Sequence, residues 1–350
     1  MPAADFEDSV VDRLPATRGF ATRSAWWGGP VTASTGEAMR VFYSDWFLND
    51  ADGQAHLQSW ANFFGWLAHG SELARLTVYL VPWDAIAEVC GAEAAACYAP
   101  SVQSMAIPGD WPDGYPAAHV AAHEFGHHIA TNRDNAPWPA VDWGTKRWAS
   151  HVGVCQRAAS GTAFPGDENG NYTLNPGEAF AEAYRFSQAA RVTDWPSIPL
   201  IVDPSFTPDS TALALVNLDV AQPWTGPTAS TWADTFVQPK QKIAPKKRAK
   251  PKAKGKAKAK PKKRPKRKTQ GLTQLAPKTL RLDTPNDGIL TVTLDQGPGM
   301  SLTLLDGATG QPVTPPSASS ITYTVCGQRS FTLSLQAAQP AGFSVTISTP

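Results

Sequence analysis

The chain has 350 residues, 42% hydrophobic and 17% charged, enough for about two domains and at least one sizeable core. No apolar run approaches the ~18 residues that a membrane-spanning helix needs, so that class is excluded. The formal net charge of +1 conceals a division: residues 1–239 carry 11 Lys/Arg against 26 Asp/Glu, residues 240–268 carry 17 Lys/Arg and no acid, and residues 269–350 carry 3 against 4. Of the 16 lysines only Lys146 precedes the basic run. A uniform fold does not divide charge this way, and modules are expected: an acidic body, a polycationic segment and a near-neutral tail.

In chain order, Met1–Val10 is acidic and lacks an apolar core segment, so it does not read as a signal peptide. Met39–Phe47 and Ala74–Val81 are rich in β-branched and aromatic residues and predict strands. Between them, Leu57, Trp60, Phe63, Phe64 and Leu67 fall at helical spacing within Ala55–His69. Val102–Ile107 predicts a short strand, followed by a Pro/Gly-rich loop over Gly109–Pro116. Ala117–Thr131 predicts a helix of good formers with no internal proline, and Val141–Ala159 a second. Gly161–Gly177 is loop-like. Glu178–Ala190 predicts a helix with Asn175 as N-cap and Pro176 at its first position.

Residues 240–268 are Lys, Arg, Ala, Pro and one Gly for the most part, a composition that cannot bury a core. Beyond them, Thr279–Leu282, Ile289–Leu294, Ser301–Leu305, Ile321–Val325, Phe331–Leu335 and Phe343–Ile347 alternate in period 2 between turn signals, which predicts a small β-sandwich. The four cysteines, Cys90, Cys97, Cys155 and Cys326, contain no CxxC pair, which argues against a cysteine-rich zinc site. Cys90 and Cys97 are close enough for a small disulfide loop.

The chemistry is carried by His123-Glu124-Phe125-Gly126-His127. On a helix, residues four apart share a face one turn apart. Two imidazoles so placed can hold one Zn²⁺, and Glu124 beside them can take a proton from a water that the metal polarises. A third ligand must come from elsewhere. The metzincin pattern would need a His at Arg133 and a Gly at Ala130, so that class is excluded. Glu178 and Glu182 offer the alternative on one face of a later helix, in an apolar setting of Ala179, Phe180, Ala181 and Ala183. One binds metal while the other orients a histidine, and Glu178 is the preferred ligand. His151 is a weaker substitute for it. His119, one turn before His123, reads as a supporting residue, and His128 points about 100° away from His127. A rival reading sees Asp167-x-Asn169-x-Asn171 with Glu178 in twelfth place as an EF-hand loop, although Tyr172 stands where Gly is needed.

The pair His-Glu-Phe-Gly-His and Glu178-Ala-Phe-Ala-Glu182 resembles the gluzincin class of zinc metallopeptidases, and is especially similar to the catalytic domain of anthrax lethal factor and its relatives. The resemblance covers roughly residues 115–190. It implies a zincin-like fold, His123, His127 and Glu178 as ligands, and Glu124 as general base. It also implies an oxyanion-stabilising Tyr before the ligand Glu. Tyr172 matches that position, with Tyr184 as the competing choice. The tail, in Ser330-Phe-Thr-Leu-Ser-Leu and Gly342-Phe-Ser-Val-Thr-Ile-Ser, is similar to a pre-peptidase C-terminal domain, a β-sandwich that accompanies secreted bacterial peptidases.

The expected class is therefore α+β: a zincin-like catalytic domain over 1–239, a disordered Lys/Ala/Pro-rich linker over 240–276 and a β-sandwich accessory domain over 277–350. The expected function is a zinc-dependent endopeptidase acting on protein or peptide, secreted or associated with a cell wall. The alternative is a non-enzymatic protein holding an anionic polymer through residues 240–268, its zinc site structural. That segment has no aromatics for stacking on bases, so nucleic acid would bind only non-specifically.

Overall fold

The computed structural model describes residues 7–10, 26–44, 50–91, 94–109, 117–189, 199–238, 275–297, 299–327 and 329–350. The loop expected over residues 110–116 and the basic run 240–268 lie outside them.

The first half is built on a six-stranded sheet ordered β1-β5-β6-β4-β3-β2. Its strands are β1 (Glu7–Val10), β2 (Trp26–Thr32), β3 (Ala38–Ser44), β4 (Thr77–Val81), β5 (Ala94–Ala99) and β6 (Ser104–Pro108). The inner strands β3, β4 and β6 run parallel, and β5 and β2 are antiparallel to their inner neighbours. A strand exposes alternate residues to opposite faces, and both faces here are apolar. Val78, Leu80, Met105, Ile107 and Tyr98 face the main core, beneath α1 (Asp50–Trp66) and α3 (Ala117–Thr131). Val81, Cys97, Ala99 and Ala106 face the other way, where α2 (Ile86–Cys90) covers them with Ile86 and Val89. The disulfide Cys90–Cys97 fastens α2 to β5, the small loop that the cysteine spacing suggested.

A hairpin of two short strands, β7 (Asp134–Asn135) and β8 (Trp138–Pro139), follows α3. The helix expected over 141–159 is divided into α4 (Ala140–Trp143), α5 (Lys146–Val152) and α6 (Val154–Ala159). The breaks fall at Gly144 (φ 76°) and Gly153 (φ 72°), left-handed backbone that glycine adopts without penalty. The buried carboxylate of Asp219, on α8 (Ser210–Ala221), accepts from the backbone N–H groups of Arg147 and Trp148 and from the Thr145 hydroxyl. These satisfy the otherwise orphaned start of α5. Then α7 (Pro176–Gln188) begins as its sequence indicates: Asn175 caps it, accepting from the Gly177 N–H at 3.0 Å, with Pro176 in the first turn.

The remaining strands form a sandwich. One sheet is ordered β10-β14-β12 and the other β13-β11-β15-β9, with β9 (Thr228–Thr235), β10 (Lys278–Asp283), β11 (Gly288–Gln296), β12 (Met300–Asp306), β13 (Ser320–Val325), β14 (Ser330–Ala337) and β15 (Gly342–Thr349). All six runs expected after residue 277 are strands. The seventh, β9, lies before the basic run, yet it pairs along its whole length with β15. Phe236 and Leu275 flank the basic run and bury into one core, and Lys278 pairs with Asp234. Residues 239–274 therefore join two strands of one sandwich, one in each sheet.

The sandwich is fixed to α5 and α6. The disulfide Cys155–Cys326 joins them covalently. The Arg329 guanidinium donates to the Ser150 carbonyl at 2.8 Å, and the Asp287 N–H donates to the Ser150 hydroxyl at 2.9 Å. Lys146, 1% exposed, lies at this junction. Its ammonium donates to the Ala136 carbonyl at 2.6 Å and sits 4.4 Å from the Trp224 ring centre.

Candidate metal centre

The centre is made by two helices crossing at unusually short range. Gly126 is the fourth residue of the His-Glu-Phe-Gly-His run. A Cβ there would stand 2.7 Å from the Cα and 3.0 Å from the carbonyl oxygen of Ala181. Backbone meets backbone at that point, with no room for a side chain. Small residues in the middle of each motif thus let α3 and α7 close together, and Glu178 reaches across to the histidines.

His123, His127 and Glu178 converge, and all three are buried. The Nε2 atoms of the two histidines are 3.2 Å apart. Glu178 Oε2 lies 3.0 Å from His123 Nε2, and Glu178 Oε1 lies 3.3 Å from His127 Nε2. Corners of a tetrahedron with bonds of ~2.0–2.1 Å are about 3.3–3.4 Å apart, so the spacing fits one small cation bound by all three. The proton arrangement points the same way. His123 Nδ1 faces Glu182 Oε2 at 3.3 Å, which assigns its proton to that side. The Nε2 lone pair of a neutral His123 then meets a carboxylate oxygen and a second imidazole nitrogen. Lone pairs so gathered away from water could hold a metal ion among them.

Glu182 does what its place on the shared face suggests: it orients His123. It is held in turn by Arg185, whose Nε donates to Oε2 at 2.8 Å and whose Nη2 donates to Oε1 at 2.5 Å. Arg185 Nη1 donates to His119 Nδ1 at 2.8 Å. A chain of buried contacts thus runs His119, Arg185, Glu182, His123. Burial pushes the Glu182 carboxyl up, but Arg185 and His123 outweigh it and hold the group well below the usual carboxylate range. Glu178 is likewise lowered, burial being outweighed by His127 and His123. Burial and the adjacent Arg185 bring His119 down to about 3, so it is a neutral acceptor and the supporting residue expected of it.

Glu124 is wholly buried on the neighbouring flank of α3. It is close enough to Tyr98 to add to the rise that burial gives that phenol. Tyr172 is buried in the 3₁₀ turn Tyr172–Leu174, just ahead of the Asn175 cap. Tyr184 is turned elsewhere: its hydroxyl donates to the Ala68 carbonyl at 2.6 Å and its ring packs edge-on against Phe125. His128 faces away, between the Tyr98 hydroxyl and the Glu72 carbonyl. His151 pairs with Asp209 at 3.1 Å, outside the group. In the acidic loop the Asp167 carboxylate accepts from the Asn169 N–H and the Asn171 amide, while Glu178 is engaged with the histidines. The EF-hand reading would require Glu178 in both places.

Sequence reasoning passed over Arg185, Gly126 and Ala181 as parts of the site. An arginine three residues after Glu182 was a visible i,i+3 signal. The close helix approach had no signal beyond small residues in both motifs. Comparison of the chain with protein-family models and with curated proteins finds no match.

Proposed function

We propose that this protein is a zinc-dependent endopeptidase. The observation that carries the reading is the convergence of His123, His127 and Glu178 at tetrahedral spacing, with an acid directly after the first histidine. A bound zinc supplies a Lewis acid that lowers the pKa of water and polarises a carbonyl. Two imidazoles and a carboxylate suit that ion and leave a coordination position open. Glu124 then takes the proton of the attacking water and passes it to the leaving amine. Tyr172 is the residue to donate to the developing alkoxide, since the Tyr184 hydroxyl is already given to the Ala68 carbonyl. Glu182 and Arg185 hold His123 in its binding tautomer. Two disulfides and no free cysteine among the described residues support an oxidising location outside the cell.

A second reading concerns the basic run. Seventeen cations and no acids between two strands of one sandwich favour an added role in holding an anionic cell-surface polymer, by counterion release. Such binding fails in high salt, whereas peptide hydrolysis at a buried site is largely spared.

Casein cleavage tests the principal reading. Wild type should cleave, and Glu124→Gln should keep its metal and lose about 10²–10⁴-fold in rate. Cleavage by the variant at the wild-type rate would overturn it.

A further inference from the structure

A cavity of about 700 Å³ opens where the helical half meets the sandwich, and none of its lining residues belongs to the metal centre. Junctions of this kind are favoured places for small-molecule sites. Arg147 and His151 of α5, Trp224 beyond α8, and Asn286 and Arg329 of the sandwich line it.

Asn286 is the group that marks the cavity as a site. It is 8% exposed, and its side-chain amide has no hydrogen-bond partner among the described residues. Buried amides are nearly always paired, and this one faces the cavity with two donors and an acceptor to satisfy. The turn that carries it is fixed on both sides. The next residue, Asp287, donates its N–H to the Ser150 hydroxyl at 2.9 Å. The Asp287 carboxylate accepts from the Gly327 N–H at 2.9 Å and from Arg329 Nη1 at 2.5 Å. Asn286 is therefore held at the cavity wall rather than free to turn toward another partner.

The chemistry of the remaining wall narrows the ligand. Its cations are already matched by acids: Arg147 with Asp219, Arg329 with Asp287 and His151 with Asp209. No positive charge is left over to reward an anion. The Asp219 and Gln222 contacts of Arg147 both use Nη1, which leaves the N–H groups of Nε and Nη2 as neutral-ligand donors. Trp224 adds an aromatic ring, a surface for apolar C–H groups. Donors and an acceptor set around an indole match a ring that carries hydroxyls at its rim and C–H groups on its faces.

We infer that this cavity binds a neutral saccharide, with one sugar ring against Trp224 and its hydroxyls on Asn286 and Arg147. The inference does not rest on the metal reading, since the two sites share no residue.

Saturation-transfer NMR on the full chain tests it, with cellobiose, maltose and N,N′-diacetylchitobiose as neutral saccharides, glucuronate as an anion and trialanine as a peptide. Wild type should bind at least one of the neutral saccharides in the millimolar range. Asn286→Leu should weaken that binding about 10-fold, the loss of a buried hydrogen-bonding group, and Trp224→Ala should do so at least as much. Melting temperatures of the variants separate loss of the site from loss of the fold, and if Trp224→Ala does not fold, Asn286→Leu decides. Absence of saccharide binding by wild type, or unchanged binding by the deciding variant, would overturn the inference. Binding of glucuronate or trialanine in preference to all three saccharides, lost in Asn286→Leu, would overturn the assignment to a neutral sugar.

Discussion

The pair α3/α7 and the C-terminal sandwich are both well buried, but they are filled with opposite chemistry. The helix pair buries His119, His123, Glu124, His127, His128, Glu178, Glu182 and Arg185, each 5% exposed or less. The sandwich core is Leu, Val, Ile, Phe, Met and Ala throughout. Its one buried acid among the described residues, Asp287, sits at the rim on Arg329. Apolar burial is favourable wherever water is excluded, so the sandwich needs nothing but its own strands. Buried charge is favourable only when paired. Most of the pairing in the helix pair is internal, through Arg185 and Glu182. The Nε2 atoms and Glu178 are the part that a cation could complete. On the proposed metal reading, the same helix–helix contact that builds the site ties the stability of that half to the bound ion.

The largest expected consequence is a difference in melting. Removing metal should destabilise the helical half by about 3–4 kcal/mol relative to protein with metal at 100 to 1,000 times its dissociation constant. The sandwich should be unaffected. Tryptophan fluorescence separates the two, because among the described tryptophans only Trp232 lies on a sandwich strand. Equal shifts in fluorescence and in strand circular dichroism would break the contrast.

Next in size is the close crossing. Gly126→Ala adds one methyl where the Ala181 backbone leaves no room, at a cost of about 1–3 kcal/mol. It should also weaken metal retention, since Glu178 moves away with α7. A variant with wild-type stability and metal content would show that the helices can part freely.

The smallest effect lies at the junction between the halves. Burial brings the Lys146 amine down to about 8, with Asp287 drawing it partly back up. In the unfolded chain a lysine titrates near 10.4. Between those values the unfolded chain holds a proton that the folded chain does not, so stability rises with pH. Below about 8 the full penalty of burying the charge is present. Lys146→Met should remove this rise, about 1 kcal/mol between pH 7.5 and 9, read by urea unfolding at both values. An equal rise in both proteins would exclude Lys146 as its source.

Much of this was legible in the residues themselves. The boundaries of α3 and the Asn175-Pro176 start of α7 follow from local rules of capping and helix formation. The six alternating strands of the tail follow from period 2. What was not legible depends on partners far away in sequence. The strand β9 has its eight residues almost wholly exposed and carries no strong alternation; its identity comes from pairing with β15. The short β1 is likewise defined by β5. The breaks in 141–159 were signalled only by Gly144 and Gly153, which a helical pattern tolerates until tertiary packing demands a left-handed turn. At the site, sequence spacing brought out the ligand group and the orienting Glu182. The close approach of α3 and α7 at Gly126 and Ala181 needed the packing itself.

The most direct test of the central claim is zinc content and casein cleavage measured side by side on wild type and Glu124→Gln. The account predicts one zinc per chain in both proteins and cleavage by wild type alone. Zinc in neither protein, or cleavage that survives the loss of Glu124, would contradict it.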